Sequence, residues 1–335
     1  MGTKKKSIWL EIGRESVWGR RGIVKANSFW ACLAVLLVRN PGEVDRPAAG
    51  LVQLYLVVCV WVLVSILAND LADSFRDALA DKRRWIVSVP YPGNWAVVIA
   101  LSVAGLGLCT LARSPAGARW VYLGATVFAL SYSLPPFRAK EKGGWGLFIY
   151  ALSCTLGYVF LPWLWLRGSW PALVVLGPAV FLDKWVNLHF HEILDYETDR
   201  ARGIKTYAVR VGIQRARIGL VRMAALATVS AGALLVFALS LLREGRTAIS
   251  LGTAGILALG GGYILWARRR SSRPTALLRE LPWPYLAFTL TALRALPLVI
   301  LIGLALDKET LWGIAAAAIV TVLAEFWYSL HYRLP

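Results

Sequence analysis

The stretch 51–77, LVQLYLVVCVWVLVSILANDLADSFRD, passes from an unbroken apolar run straight into Asn69, Asp70, Asp73 and Asp77. The apolar part, 48–68, has the length of roughly 20 residues that a helix needs to cross a bilayer. On a helix, steps of three and then four residues keep the three carboxylates on one stripe. The spacing recurs at Glu192, Asp195 and Asp199, again where an apolar segment ends. Two such stripes facing each other would repel unless cations lay between them. Oxygen-only ligand sets suit Mg²⁺, and Mg²⁺ suits diphosphate groups.

The rest of the 335-residue chain repeats the apolar theme: 58% of it is hydrophobic and it holds 16 Trp. Ten spans are predicted, at 22–39, 48–68, 93–113, 117–134, 144–166, 171–194, 214–242, 248–268, 281–304 and 309–330. The chain reads as an all-α polytopic membrane protein, with no hydrophilic stretch long enough for a separate soluble domain. Its formal charge of +18 is a topology signal. The N-terminus, 69–92, 135–143, 195–217, 268–279 and the C-terminus hold 26 of the 37 Lys and Arg residues, and the opposite connections hold 8. The positive-inside rule places the richer set, and both termini, in the cytoplasm, which argues against nucleic acid as a partner. Both acidic clusters fall on that same face.

Residues 8–25 mix Trp9, Leu10, Ile12, Val17 and Trp18 with Arg14, Arg20, Arg21 and Lys25, as an interfacial amphipathic helix would. The segment 8–11 is too polar for the apolar region of a signal peptide. Cys32, Cys59, Cys109 and Cys154 lie within predicted spans without CxxC spacing and read as small apolar residues. Gly260-Gly261-Gly262 reads as a close-packing face, with a helix break near a cavity as the alternative.

Between the acidic clusters lies Tyr132-Ser133-Leu134-Pro135-Pro136-Phe137-Arg138-Ala139-Lys140-Glu141-Lys142. The proline pair ends a span, and cations follow at once. Lys82, Arg83 and Arg84 follow the first cluster, and Arg200, Arg202 and Lys205 follow the second. Fixed cations beside a carboxylate-held metal are what a departing diphosphate requires. Taken singly, each basic residue is explained equally well as a positive-inside anchor.

These motifs resemble those of the UbiA-type intramembrane prenyltransferase superfamily. Asn69, Asp70, Asp73 and Asp77 match its NDxxDxxxD motif, and Asp195 and Asp199 match DxxDxxxD with Glu192 in the first place. Gly203-Ile204-Lys205-Thr206 with Val209-Arg210-Val211-Gly212 is similar to its GIKT…VRxG continuation, and Tyr132–Lys140 is similar to its YSxPPxRxK loop. The resemblance implies a nine-helix bundle around a central cavity, formed by 22–304, with 1–21 as a basic interfacial segment and 305–335 adding a tenth helix. It implies Mg²⁺ held by Asn69, Asp70, Asp73, Asp77, Glu192, Asp195 and Asp199. It also implies a prenyl diphosphate whose leaving group meets Arg138, Lys140, Lys205, Lys82 and Arg83. Asp70, Asp73, Asp195, Asp199, Tyr132 and Lys184 are the catalytic candidates, Tyr132 by cation–π contact with a carbocation.

Two departures stand out. Lys82-Arg83-Arg84-Trp85-Ile86 occupies the place of an Arg-Pro pair common in the family, and His191 stands where many members have Asn. Both His191 and His189 read either as polar helix-end residues or as local bases. Asp183 and Lys184 lie deeper in a span, where charge is costly. Being adjacent, they are expected to point in different directions, with Lys184 on the Glu192 face. The implied reaction transfers an isoprenyl group to a hydrophobic acceptor, taken as aromatic. A lipid or carotenoid acceptor and a membrane terpene cyclase are the alternatives. A transporter lined by Asp183, Lys184, Arg222 and Arg294 is a further reading, disfavoured because the carboxylates sit beside basic loops at helix ends.

Overall fold

The computed structural model describes residues 27–39, 48–74, 85–111, 114–241, 280–307 and 311–331. The interfacial segment 1–21, Asp77, Lys82, Arg83 and the expected span 248–268 lie outside the described residues. The helices are α1 (Asn27–Arg39), α2 (Ala48–Ala72), α3 (Gly93–Leu108), α4 (Ala118–Ser133), α5 (Gly144–Trp165) and α6 (Trp170–Leu194). Two short helices follow, α7 (Tyr196–Ala201) and α8 (Tyr207–Val211), then α9 (Ile213–Leu241), α10 (Trp283–Leu306) and α11 (Trp312–His331). Among the described residues there is no strand, and a helix stands at nine of the ten expected span positions. Of these helices, α2, α5, α6, α9 and α10 are long and apolar enough to cross a membrane.

Helix neighbours in space largely follow the chain. α2 packs on α3 and α4, α4 on α5, α5 on α6, α6 on α9, and α9 on α10, which returns to α1. α11 lies against α10 and α1. From Ser28 to Leu37, α1 is buried on every side, between α10, the end of α5 and α6. A helix apolar all round belongs in such a place, because it has no face to give to a polar phase.

α5 and α10 each carry one π-helical turn, at Leu156–Phe160 and Thr291–Ala295. Each is followed by Leu-Pro, at Leu161-Pro162 and Leu296-Pro297. Proline has no amide hydrogen, and its ring presses on the carbonyl four residues back. Those carbonyls belong to Tyr158 and Leu293, the middle residues of the two turns. The wider turn relieves the clash without ending the helix.

Near the π turn of α5, charge is buried inside the bundle. Asp183 and Lys184 do pair, with Nζ 3.6 Å from Asp183 Oδ2, contrary to the expectation that neighbours on a helix diverge. The long lysine stem bends back far enough to overcome the angular offset. The Lys184 ammonium also sits 5.4 Å from the Tyr158 ring centroid. From α10, Tyr285 donates its hydroxyl to Asp183 Oδ1 at 3.0 Å.

That bond joins α6 to α10 in a place where water does not compete. Tyr285→Phe is expected to destabilise the bundle by about 1–3 kcal/mol, the cost of leaving a buried polar group short of a partner. Thermal unfolding in detergent micelles measures it, and an unchanged midpoint would contradict the assignment.

Candidate active site

The first acidic motif straddles a helix end. α2 runs four residues past the expected limit of the span, so Asn69 and Asp70 are helical, and Asp73 follows in a turn closed by its amide on Asn69 O at 3.0 Å. Asp70 is buried and Asp73 is partly exposed. The second motif is split. α6 ends at Leu194, the backbone breaks at Asp195 (φ −88°, ψ 1°), and α7 carries Asp199. The expected continuous stripe is thereby corrected to two helices. The break buries Tyr196 in an apolar cluster with Phe190 and Ile193, while Asp195 and Glu197 meet solvent.

The Pro135-Pro136 pair stops α4 and leads into a tight loop. Arg138 takes a left-handed conformation (φ 38°, ψ 55°), unusual for a residue with a Cβ, and its amide bonds Leu134 O at 2.7 Å. A 3-10 turn at Ala139–Glu141 follows. This geometry aims both cations at the end of α2. Lys140 Nζ lies 2.6 Å from each oxygen of Asp73 and 3.2 Å from Asn69 Oδ1. Arg138 Nη2 reaches Asp73 Oδ1 at 3.2 Å, and its Nε pairs with Glu141. Ser133 Oγ donates to Asn69 Oδ1 at 3.1 Å. Burial lowers the pKa of the Lys140 ammonium from its ordinary value, while the Asp73 carboxylate against it acts in the other direction.

Glu192 is buried, and its Oε2 accepts the Ala208 amide at 3.2 Å, tying α6 to the first turn of α8. Its Oε1 and the Thr206 hydroxyl are buried with no hydrogen-bond partner among the described residues. His189 stacks edge-on against Tyr207 with centroids 5.0 Å apart. Lys205 is exposed. Tyr132 lies 5.7 Å, centroid to centroid, from Tyr150. Lys184 sits deeper, with Asp183 and Tyr158, about 12 Å along α6 from Glu192 at 1.5 Å per residue.

The structure therefore brings Arg138 and Lys140 onto Asn69 and Asp73. It places Lys184 in a separate buried pair, and it turns one oxygen of Glu192 toward backbone. Sequence reasoning passed over Ser133, Glu141 and Arg210 as site residues. Arg210 Nη2 donates to Glu141 O at 2.6 Å and its Nε to Lys205 O at 3.1 Å. Ser133 and Arg210 stand within motif stretches, but a side chain's bond to a distant carbonyl leaves no mark in residue spacing.

No group of three or more His, Cys, Asp or Glu converges on one point among the described residues. That does not count against Mg²⁺, which is commonly held by one or two carboxylates together with substrate phosphates and water. The candidate donors Asn69, Asp70, Asp73, Asp195 and Asp199 all offer hard oxygen, and Glu192 Oε1 is a buried acceptor left over. The residues fit such an ion.

Several known proteins resemble this chain. The chain is 30% identical over 156 residues to the bacteriochlorophyll synthase 33 kDa chain of Cereibacter sphaeroides, covering 43% of this chain and 49% of that protein. It is 32% identical over 176 residues to the lycopene elongase/hydratase of Halobacterium salinarum, covering 51% and 61%. The chain thus spans about half the length of the curated relatives it matches. A solved UbiA homologue from Archaeoglobus fulgidus, bound to DMAPP and Mg²⁺, shares the fold with a TM-score of 0.58 at 18% identity, over 89% of this chain and 96% of that one. The model of the UbiA prenyltransferase family matches residues 28–283, and the chain belongs to that family.

Proposed function

We propose that this protein transfers an isoprenyl group from a prenyl diphosphate to a hydrophobic acceptor in the membrane, with Mg²⁺ as cofactor. The observation that carries the reading is the convergence of Lys140 and Arg138 on Asp73 at the end of an apolar helix. Family membership supports it, as do the Archaeoglobus fulgidus homologues solved with DMAPP or GPP and Mg²⁺. Residues 22–304 would form the reacting bundle, with 1–21 and 305–335 as additions.

In this reading Asn69, Asp70, Asp73 and Asp77 hold metal from one side, and Asp195, Asp199 and the free oxygen of Glu192 from the other. Mg²⁺ would supply positive charge to the diphosphate oxygens as they depart. Arg138 and Lys140, paired with Asp73, would turn from that carboxylate to the diphosphate oxygens once metal takes it, and meet the charge that develops there. Lys205, Lys82 and Arg83 add positive potential. The C1–O bond of the donor breaks, diphosphate leaves with the electron pair, and the acceptor captures the allylic cation and loses a proton. The apolar bundle keeps water from capturing it first. The Tyr132 ring would contribute cation–π stabilisation. Lys184, in its pair with Asp183, would orient the acceptor from below.

A conjugated aromatic acceptor is the leading reading, supported by the likeness to bacteriochlorophyll synthases. A carotenoid acceptor is the second, favoured by the likeness to lycopene elongase/hydratase. Mass spectrometry of products from a donor-length series against both acceptor classes separates them. A cyclic terpene formed from donor alone would instead indicate a cyclase.

Asp70→Asn and Asp199→Asn are expected to abolish transfer and diphosphate release while leaving expression intact. Chelation of Mg²⁺ should do the same to the unaltered protein. Substantial residual activity in either variant would sink the assignment. The turn that presents Lys140 offers a second test. A Cβ on Gly146 would come within 2.9 Å of Ala139 O and Lys140 Cα, both backbone atoms that cannot swing aside. Gly146→Ala is therefore expected to raise the donor KM severalfold, measured by steady-state diphosphate release, without preventing insertion.

We also place the motif loops and both termini on the cytoplasmic side. Phe137→Cys should react with a membrane-impermeant maleimide in inside-out vesicles and not in intact cells. The reverse pattern would invert the topology.

A further inference from the structure

Two loops carry the basic residues of the site, and one exposed arginine joins them. The first loop, 134–143, brings Arg138 and Lys140 to Asp73 on α2. The second, 202–206, follows the acidic motif of α6 and α7 and carries Lys205. Arg210 on α8 donates to Glu141 O in the first loop at 2.6 Å and to Lys205 O in the second at 3.1 Å. Its stem lies against Gly143, where φ is +65° and an added Cβ would come within 3.2 Å of Arg210 Cδ. α8 is itself held to α6 by the buried Glu192 carboxylate on the Ala208 amide. A continuous line therefore runs from Glu192 through α8 and Arg210 to Glu141, and on to Arg138, Lys140 and Asp73.

We propose that Arg210 is a positioning residue that couples the two acidic motifs, holding Lys140 and Arg138 in register with the α6–α8 side of the site. The inference rests on the prenyl-transfer reading above. A guanidinium suits the task because its planar fork can address two carbonyls at once, whereas an ammonium is a single point charge. Both bonds are charge-assisted, and both acceptors are backbone, so what Arg210 fixes is loop position. Arg210 touches none of the acidic side chains in these contacts, so it acts on donor binding through loop position, and the first loop carries that effect to Lys140 and Arg138.

The test uses the full chain in lipid nanodiscs, with diphosphate release and donor KM as readouts. Arg210→Met is expected to raise donor KM about tenfold while kcat changes little, as for the loss of two charge-assisted hydrogen bonds. Arg210→Lys, which can keep one bond, should recover part of the loss. The deciding measurement is a double-mutant cycle with Lys140→Met. If Arg210 acts through Lys140, the double variant is little worse than Lys140→Met alone. Fully additive losses, or an unchanged donor KM in Arg210→Met, would overturn the proposal. Should Arg210→Met fail to fold, as read by its melting temperature, Arg210→Lys takes its place in the cycle. If the unaltered protein releases no diphosphate from any prenyl donor, the prenyl-transfer reading fails. If it does so and the cycle is additive, only the role of Arg210 fails.

Discussion

The contact on which the site depends is Lys140 against Asp73, with Arg138 beside it. An acidic cluster at the end of an apolar helix is costly to assemble, because its carboxylates repel and stand next to low-dielectric surroundings. Two cations on a stiff loop offset that cost. The loop is stiff for local reasons: two prolines stop α4, Arg138 takes a left-handed turn, and short backbone bonds close the following residues. In the proposed reaction these cations, held beside the acidic cluster, would be at hand for a leaving diphosphate.

The second acidic motif is supported differently. Its carboxylates sit around a break between α6 and α7, and Glu192 spends one oxygen on the first turn of α8. That bond satisfies an amide that a helix start would otherwise leave unpaired. The substitution of Glu for the family's Asp gives the side chain an extra methylene for this reach. Glu192 thereby serves the architecture of the α6–α8 side, while its other oxygen is buried without a hydrogen-bond partner among the described residues.

Deeper in the bundle, two π turns answer to two prolines, and the one in α5 presents Tyr158 to Lys184. Asp183, Lys184, Tyr158 and Tyr285 form a polar group linking α5, α6 and α10. Charge in such a position is tolerated where opposite charges lie close and a buried hydroxyl donates to the carboxylate.

Much of this protein was legible in its residues. Apolar run lengths marked the helices, five of which are long and apolar enough to cross a membrane, because a bilayer sets a fixed length and a helix bonds its whole backbone within its own segment. The acidic spacing and the Pro-Pro-x-Arg-x-Lys loop marked the candidate site, because each is a local pattern with a local chemical cause. Tertiary structure alone decided the pairing of Lys140 with Asp73, the turn of Glu192 toward Ala208, the closure of Asp183 on Lys184 and Tyr285, and the bridge made by Arg210. Each joins residues that either lie far apart in the chain or adopt an unforeseen rotamer, and only packing sets such distances. The same holds for the break at Asp195, where burial of Tyr196 prevailed over a helical period that would have kept three carboxylates in line.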